Sequence, residues 1–466
     1  MLILSRDSQL WKRLYYGRFV YRRFGRLLKN PSLKQERIAS HGTHKYLDSR
    51  TTMDWKSKYR LSHKWSNGTC NYREIMLASK VLPRIFLCLR GNMAITADAE
   101  CGLRAWKMRD NTQTFVASLD LVSSGKDDEV RPSALSVEVN QSTLDKLNIV
   151  VGFKSGQVGL YSFNILKQDF ETRQVFSCFM DQAVTSLAQS VQGYLLAMSK
   201  TKAISLYRIE WTETDEDTST PIPVFSLRSQ SIWRPVSVNL RVNSNILIAS
   251  ILYAYPRLLF GWSVGIQELQ WDLKTHKLLP SRHATSQQDG PSSTKIAARV
   301  EYLPPTLSKP TSLCYNHPYL LATHPDNTLS LYMVKSTKSE LSISSGMRLW
   351  GHTSDVYAAN IGSRGKAVTV AHGDDVRVWQ LEEGLTSALA RKATPGPLIS
   401  VKLQPISAKE DEDAIINQDS LLRLEAAEDR HEDELLPASI DFDEERLVVL
   451  KNRGLQSQAL FIYDFT

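Results

Sequence analysis

The sequence has few of the residues that build metal and disulfide sites. Five cysteines occur among 466 residues, and the closest two, Cys88 and Cys101, are thirteen positions apart. This spacing fits neither a zinc site nor a redox pair nor a disulfide framework. We therefore expect buried or half-buried thiols in a reducing compartment, which favours the cytoplasm or the nucleus. No metal ion and no cofactor is expected.

Long apolar runs are also missing. The most apolar stretch, 246–262, is interrupted by Tyr253, Pro256 and Arg257. No run approaches the roughly 18 residues that a membrane-spanning helix needs. We interpret the stretch as buried strands and expect no membrane partner.

Sequence motifs of catalysis are absent as well. No Gly-rich phosphate-binding loop, G-x-S-x-G or H-E-x-x-H pattern occurs, and the ten histidines are scattered. Acidic pairs such as Asp127-Asp128 and Asp374-Asp375 lie in predicted turns, where aspartate accepts hydrogen bonds from backbone N–H groups. The sequence predicts no catalytic residue, and we expect a protein that is not an enzyme.

A repeated pattern of three strands is what the sequence does contain. Each unit has an apolar strand, a strand of small and β-branched residues, and a third strand that ends in an aromatic residue. The seven third strands end at Trp106, Tyr161, Tyr207, Trp271, Tyr332, Trp379 and Tyr463. Propeller blades have about 40–45 residues, and loop insertions lengthen the interval. The pattern predicts an all-β, seven-bladed β-propeller over residues 69–466.

The two ends of this region predict how the ring closes. The last unit supplies only three strands, and the lone strand pattern at 69–77 can supply the fourth, which removes a free sheet edge. An acidic insertion, 409–436, has eleven acidic and two basic residues between positions 410 and 434. It is interpreted as a solvated surface loop, a docking or regulatory loop, or a segment that pairs with the basic N-terminus.

The first 65 residues are basic, with 16 Lys and Arg against 4 Asp and Glu. Apolar residues at helical spacing predict two or more short helices within 5–30 and 53–68. A basic arm can contact nucleic acid, although the aromatic content favours a packed helical region. A mitochondrial presequence is disfavoured by the low serine content and by continuity into the helix at Trp55.

Three motifs then carry a family resemblance. Residues 351–380 open with Gly-His and close with Trp-Gln, which resembles a WD repeat. Residues 5–15 (SRDSQLWKRLY) resemble the end of an F-box, and residues 54–61 (DWKSKYRL) resemble the linker that follows it. The chain thus resembles the F-box/WD-repeat family. The implied domains are an F-box remnant (1–30), a basic helical linker (31–68) and the propeller (69–466).

This resemblance implies the substrate-recognition subunit of an SCF-type E3 ubiquitin ligase, which selects proteins for degradation. Its implied partners are a Skp-type adaptor, a cullin and a protein substrate that is phosphorylated or acidic. The opening helices of an F-box, with their Leu-Pro pair, have no counterpart in residues 1–30. We therefore expect either a start codon assigned too late or a lost adaptor site. A WD-repeat scaffold unconnected to ubiquitin is the alternative.

Two sets of site residues follow from the resemblance. Leu10, Trp11 and Leu14 are the implied adaptor-contact remnant, or else core residues of the linker. In the family, propeller arginines often read phosphorylated or acidic peptides, because guanidinium pairs with phosphate through two hydrogen bonds. The candidate substrate-binding residues are Arg84, Arg104, Arg234, Arg257, Arg364 and Arg377.

Overall fold

A computed structural model defines the fold. It describes residues 7–20, 54–80, 82, 84–109, 114–121, 131–140, 145–179, 182–211, 220–228, 235–257, 261–286, 308–344, 346–362, 365–372, 375–381, 400–406, 440–453 and 457–466. Helix α1 (Ser8–Tyr15) continues into a π-helical turn (Tyr16–Val20), and α2 is Trp55–Asn67. Both helices fall within the segments where apolar spacing predicts them. The acidic insertion at 409–436 lies outside the described residues.

Seven antiparallel sheets, the blades, follow the helices. Blade 1 contains β2 (Ile85–Arg90), β3 (Met93–Asp98), β4 (Gly102–Lys107) and β5 (Phe115–Leu119). Blade 2 contains β6 (Pro132–Val139), β7 (Lys146–Phe153), β8 (Gln157–Asn164) and β9 (Asp169–Ser177). Blade 3 contains β10 (Val184–Gln189), β11 (Tyr194–Ser199), β12 (Ala203–Arg208) and β13 (Ile222–Arg228).

The fourth strand is broken in two in the next two blades. Blade 4 contains β14 (Pro235–Asn243), β15 (Ile246–Arg257), β16 (Gly261–Asp272), β17 (Lys277–Leu278) and β18 (Arg282–Thr285). Blade 5 contains β19 (Ser312–Asn316), β20 (Tyr319–Thr323), β21 (Leu329–Ser336), β22 (Leu341–Ile343) and β23 (Met347–Leu349). Blade 6 contains β24 (Val356–Ile361), β25 (Lys366–Ala371), β26 (Asp375–Gln380) and β27 (Ser400–Lys402).

Blade 7 is built from three distant parts of the chain. Its strands are β29 (Ile440–Phe442), β30 (Arg446–Arg453), β31 (Ser457–Asp464) and, from the N-terminal side, β1 (Thr69–Ala78). The strand pattern at 69–77 thus corresponds to β1, which pairs antiparallel with β31. A fifth strand, β28 (Gln404–Ile406), pairs parallel with β1 on its outer side. Nothing in the sequence analysis indicates this fifth strand.

The first strands of successive blades contact each other in a closed ring, in the order β2, β6, β10, β14, β19, β24 and β29. We therefore name the four strands of each blade a to d, from this inner ring outwards. Apolar side chains between neighbouring blades form the core; Ile149, Val151 and Phe163, for example, are at most 2% exposed. The predicted seven-bladed all-β propeller is confirmed.

The meander defines two ends of the propeller. Because the strands alternate in direction, all a–b turns and c–d connections lie at one end. We call this the helix end, because α2 leads into the first residue of β1 there. The b–c turns and d–a connections lie at the other end, which we call the far end. The possible interaction surfaces belong to these two ends.

Candidate interaction surfaces

The helical unit is held together by aromatic rings. The ring of Trp11 lies 5.4 Å from that of Tyr59, and Tyr15 lies 5.7 Å from Trp55, measured between centroids. Both helices begin at an aspartate cap: the carboxylate of Asp7 accepts from two backbone N–H groups of α1, and Asp54 does the same for α2. α1 and α2 therefore form one packed unit.

The implied adaptor-contact residues occupy different positions on this unit. Leu10 and Trp11 are half-buried, and the ring of Trp11 is used in packing against α2. Leu14 is 43% exposed and lines a groove with Arg13, Arg18 and Tyr59. Of the three, Leu14 is the most exposed and offers the most surface to a partner. Trp11 instead packs in the core between the two helices.

A buried tryptophan fixes α2 to the propeller. Trp65 is 2% exposed, and its ring stacks on Phe465 with a centroid distance of 3.6 Å. Its Nε1–H donates to the carbonyl oxygen of Glu444, 2.6 Å away, in the a–b turn of blade 7. The ammonium of Lys366, from the adjoining turn of blade 6, lies 3.7 Å from the ring centroid. Trp65 therefore joins the helical unit to blades 6 and 7.

The exit from α2 needs a glycine. Gly68 caps the helix with φ of +71°, in the left-handed region that favours glycine. A Cβ atom there would lie 2.5 Å from the carbonyl oxygen of Lys402. The carbonyl of Gly68 also accepts a hydrogen bond from the N–H of Gln404, at 2.8 Å. The outer segment that carries β27 and β28 is therefore pressed against the point where α2 becomes β1.

The two ends of the propeller differ in charge. The described b–c and d–a connections at the far end contain seven basic residues (Lys80, Arg84, Arg131, Lys154, Lys200, Lys202 and Lys309) and four acidic ones (Glu100, Asp120, Asp326 and Asp355). The described a–b and c–d connections contain four basic residues (Arg109, Lys167, Lys274 and Lys338) and six acidic ones (Asp145, Glu210, Glu340, Asp443, Glu444 and Glu445). The connections at the far end are thus more positive than those at the helix end, where the basic residues lie instead on the helical unit.

The excess positive charge is concentrated over blades 2 and 3. Lys154 donates its backbone N–H to the carbonyl of Arg131, at 3.0 Å, so the two residues are neighbours. In blade 3, the backbone N–H of Lys200 donates to the carbonyl of Ala183, in the connection from blade 2, at 3.0 Å. We call Arg131, Lys154, Lys200 and Lys202 the cationic strip. In the described parts of the connections to which they belong, Asp120 is the only carboxylate side chain.

None of these four residues was among the sequence candidates. A signal for them exists, because Lys154, Lys200 and Lys202 all lie in b–c turns that can be located from the repeat pattern. The family resemblance implies arginines at the binding surface, so it does not point to lysines in these turns. The strip is suited to an anionic partner, because its ammonium and guanidinium groups lie on loops that the blades hold in place.

The sequence-predicted arginines are scattered. Arg84 lies before β2, and Arg257 is the last residue of β15; both are at the far end and partly exposed. Arg104 is 7% exposed, and its guanidinium donates to Asp98 (2.7 Å) and to the carbonyl of Leu77 (2.7 Å). It belongs to the interior network of blade 1. Arg234 and Arg364 lie outside the described residues.

Arg377 belongs to the WD-type network of blade 6. Its Nε–H donates to Asp375, 2.9 Å away, and the same carboxylate lies 2.9 Å from Nδ1 of His352. Nε2 of His352 and Nε1–H of Trp379 both reach the hydroxyl of Thr369, at 2.6 Å and 2.7 Å. Burial lowers the pKa of His352, and its imidazole is neutral at pH 7. These residues tie the connection that precedes β24 to strands β25 and β26 of the same blade.

A second polar network joins blades 4 and 5. Glu268 is fully buried, and its carboxylate accepts from Arg241 (2.9 Å), Arg282 (2.7 Å) and the hydroxyl of Ser336 in blade 5 (2.8 Å). A buried carboxylate needs such partners. This network has no signature in the sequence, because its members come from four strands without a recurring spacing.

A third network closes the inner ring. The carboxylate of Asp441 in blade 7 accepts from the backbone N–H of Leu89 in blade 1 (2.8 Å) and from the side-chain amide of Asn360 in blade 6 (2.9 Å). Burial raises the pKa of Asp441, and the neighbouring guanidinium of Arg90 opposes the rise. Asp441 thus ties together the three blades where the ring closes, which is a structural role.

The described residues form neither a metal site nor a membrane-spanning helix. Within the part of the chain that the structure describes, no group of three or more His, Cys, Asp or Glu side chains could hold a metal ion. No described helix is both long enough and apolar enough to cross a membrane. Burial raises the pKa of Cys70 to about 11 and that of Cys178 to about 11, so these thiols stay protonated at neutral pH.

Fold and surfaces together define a class of protein, a seven-bladed propeller with a helical unit fixed at one end and exposed basic loops at the far end. More specifically, the chain belongs to the F-box protein pof12 β-propeller family, which matches residues 70–466. The expected membership of an F-box-type propeller family is thereby confirmed.

Two individual proteins illustrate the similarity. The F-box protein pof12 of Schizosaccharomyces pombe is 30% identical over 125 residues, which are 26% of this chain and 25% of that protein. The matched region thus spans a quarter of the relative's length. Among solved structures, the β-propeller domain of Cps50 (Swd1) from Myceliophteria thermophila has a TM-score of 0.46 and 10% identity. That match covers 85% of this chain and all of the other.

Proposed function

We propose that the chain is the substrate-recognition subunit of an SCF-type E3 ubiquitin ligase. In this role it binds target proteins at the far end of the propeller and contacts a Skp-type adaptor, and through it a cullin, with the α1–α2 unit. It performs no ubiquitin transfer itself, and it acts in the cytoplasm or the nucleus. Membership of an F-box protein family supports this proposal.

One structural observation carries the proposal: Trp65 anchors the helical unit at one end, while the cationic strip lies at the other. Trp65 is 2% exposed between blades 6 and 7, whereas Lys154 and Lys200 are exposed in b–c turns. A receptor needs this separation, because the adaptor and the target must be bound at the same time. A rigid joint also holds the target at a fixed position relative to the adaptor.

The chemistry of the far end indicates the kind of target. Basic side chains on fixed loops attract an acidic or phosphorylated segment, and electrostatic attraction also speeds its association. Arg84 and Arg257 lie at the same end and extend the basic character beyond the cationic strip. We therefore propose a target protein with an acidic or phosphorylated segment.

Isothermal titration calorimetry of the full chain with a purified Skp-type adaptor tests the proposal. We expect saturable binding that weakens at least tenfold when Leu10 and Leu14 are both replaced by alanine. Leu166→Ala is the matched control, because Leu166 is 74% exposed in a connection of blade 2, away from the helical unit. Binding that is absent, or that survives the double substitution, contradicts the adaptor role.

A second candidate is a WD-repeat interaction scaffold unconnected to ubiquitin. The packing of Trp11 against Tyr59 favours it, since this ring serves the helical unit and only Leu14 among the three implied contacts is largely exposed. On this proposal the far end still binds an anionic partner, but the adaptor gives no heat in the titration.

A further inference from the structure

A groove lies on the helical unit where α1 continues into its π-helical turn. It is lined by Arg13, Leu14, Gly17, Arg18 and Tyr59, and its volume is about 510 Å³. We call it the arginine groove. Sites that bind ligands usually have volumes of about 300–1,000 Å³. π-Helical turns are rare in proteins and occur frequently at functional sites. The groove thus has the size and the local backbone geometry of a binding site.

Gly17 leaves the middle of the arginine groove open. It is exposed, and a Cβ atom built on it would meet nothing within 4 Å. Leu14, three residues earlier on the same side of the helix, is 43% exposed and supplies an apolar wall. Tyr59 of α2 supplies another wall: its ring lies 5.4 Å from that of Phe19, and its hydroxyl accepts a hydrogen bond from Arg18 at 3.2 Å. The groove therefore has room for a side chain of a partner.

The arginine groove carries positive charge, and among the described residues no carboxylate forms an ion pair with Arg13 or Arg18. Both arginines are exposed. The guanidinium of Arg18 donates to the neutral hydroxyl of Tyr59 and lies 5.5 Å from the ring centroid of Phe19. The carboxylates in the described part of the helical unit are those of the two cap aspartates, which accept from N–H groups at the starts of α1 and α2. A carboxylate of a partner can therefore pair with these arginines, because guanidinium binds carboxylate through two hydrogen bonds.

The helical unit is better suited to a protein segment than to a membrane surface. A helix that lies on a membrane buries a face of several apolar side chains in the lipid. In the described part of the unit, Leu14 is the only large apolar side chain that is exposed. The rings of Trp11, Tyr15 and Trp55 instead pack across the two helices. A concave site with one exposed apolar wall fits a single side chain of a peptide.

We propose that the arginine groove binds a segment of a partner protein in which carboxylate side chains flank one apolar side chain. The apolar side chain packs against Leu14 in the space above Gly17, and the carboxylates accept hydrogen bonds from Arg13 and Arg18. This proposal deepens the adaptor role, and it rests on that role only for the identity of the partner. An adaptor that contacts the helical unit must then carry such a segment.

Fluorescence anisotropy of the full chain with a labelled synthetic peptide, GEDLDEG, tests the groove. We expect saturable binding that weakens at least tenfold in Gly17→Phe, because the added ring fills the space that the apolar side chain of the peptide needs. Gly17→Ala is the matched control and should change the affinity by less than about twofold, because one methyl group leaves most of the groove free. Equal binding by the parent and by Gly17→Phe overturns the proposal.

Two further peptides and a charge variant separate the two kinds of contact. The peptide GQNLNQG lacks the carboxylates and GEDSDEG lacks the apolar side chain, and each should bind at least tenfold more weakly than GEDLDEG. R13E/R18E should lose the binding of GEDLDEG. The control R60E/R228E makes the same change of charge at two exposed arginines outside the groove and should retain it. Equal losses in the two variants would show unspecific attraction and contradict the proposal.

Two other binding measurements distinguish this proposal from a membrane contact and from the adaptor role. Vesicles containing 30% phosphatidylserine should not displace GEDLDEG; displacement that requires Arg13 and Arg18 would make the groove a membrane contact and overturn the proposal. A chain that binds the peptide but not the adaptor contradicts the adaptor role alone. A chain that does not bind the peptide, and binds the adaptor equally with and without Gly17→Phe, contradicts this proposal alone.

Discussion

The two ends of the propeller contrast in what covers them. At the helix end, Trp65 fills a site between blades 6 and 7 and is stacked, hydrogen-bonded and contacted by an ammonium group. At the far end, Trp350, in the d–a connection between blades 5 and 6, is 61% exposed. The same residue type is a structural joint at one end and exposed surface at the other. The helix end therefore contributes stability, and the far end is suited to recognition.

Removing the Trp65 side chain should have the largest effect on stability. We expect Trp65→Ala to lower the free energy of unfolding by about 3–5 kcal/mol, the usual cost of deleting a large buried aromatic side chain. Trp350→Ala, the matched control at the far end, should change it by less than about 0.5 kcal/mol. Urea unfolding of both variants measures the difference. Similar losses in both would show that the two ends do not differ in this way.

The free energy of unfolding should depend on pH through His324. This residue lies at the far end, in the b–c turn of blade 5, and is 1% exposed. Burial lowers the pKa of His324 to about 4, the charge of Asp326 opposes this, and that of Arg348 adds to it. The unfolded chain, with a histidine pKa of about 6.5, binds the proton first as the pH falls. The stability that neutral His324 contributes is therefore present above pH 6.5 and is lost progressively towards pH 4.

The loss from this one group is on the order of 3 kcal/mol across that pH range. His324→Gln removes the titration, so the free energy of unfolding should fall less steeply between pH 6.5 and 4 than in the parent, whatever its value at pH 7. Chemical unfolding at a series of pH values provides the two slopes. Parallel slopes would contradict the assignment to His324.

The helix-to-strand junction offers a smaller, sharper comparison between two glycines. Gly68 and Gly91 both have positive φ, +71° and +57°, but a Cβ at Gly91 would meet nothing within 4 Å. Gly91→Ala should therefore cost only the backbone strain of about 1 kcal/mol. Gly68→Ala should cost about 1–2 kcal/mol more, because its Cβ meets the carbonyl of Lys402. Thermal melts of the two variants test this order.

Much of the fold could be predicted from local sequence signals. The seven third strands, the strand pattern before the first unit and the helical spacing around Trp55 each act over a few residues, so the repeat is readable. Strand β28 could not be predicted, because its three residues pair with β1, more than three hundred positions away. The Glu268 network was missed for the same reason: its arginines and Ser336 meet only after blades 4 and 5 pack together.

The candidate surface was less predictable than the fold. Arg104 and Arg377 lie within third strands of the repeat. There they form ion pairs with Asp98 and Asp375 inside their own blades. The cationic strip depends on which connection each turn lies beside, as Lys200 lies beside Ala183 in the connection from blade 2. Sequence alone gives the residue types in these turns but not their proximity.

The most direct measurement is co-purification of the full chain from cells, with adaptor and target proteins quantified in the same sample. Reversing the strip with K154E/K200E/K202E should reduce target capture at least tenfold and leave the adaptor unchanged. The matched reversal at the helix end, K167E/K274E/K338E, should leave both unchanged. If both variants capture targets equally well, or if the strip variant loses the adaptor as well, the assignment of the two roles to two ends is contradicted.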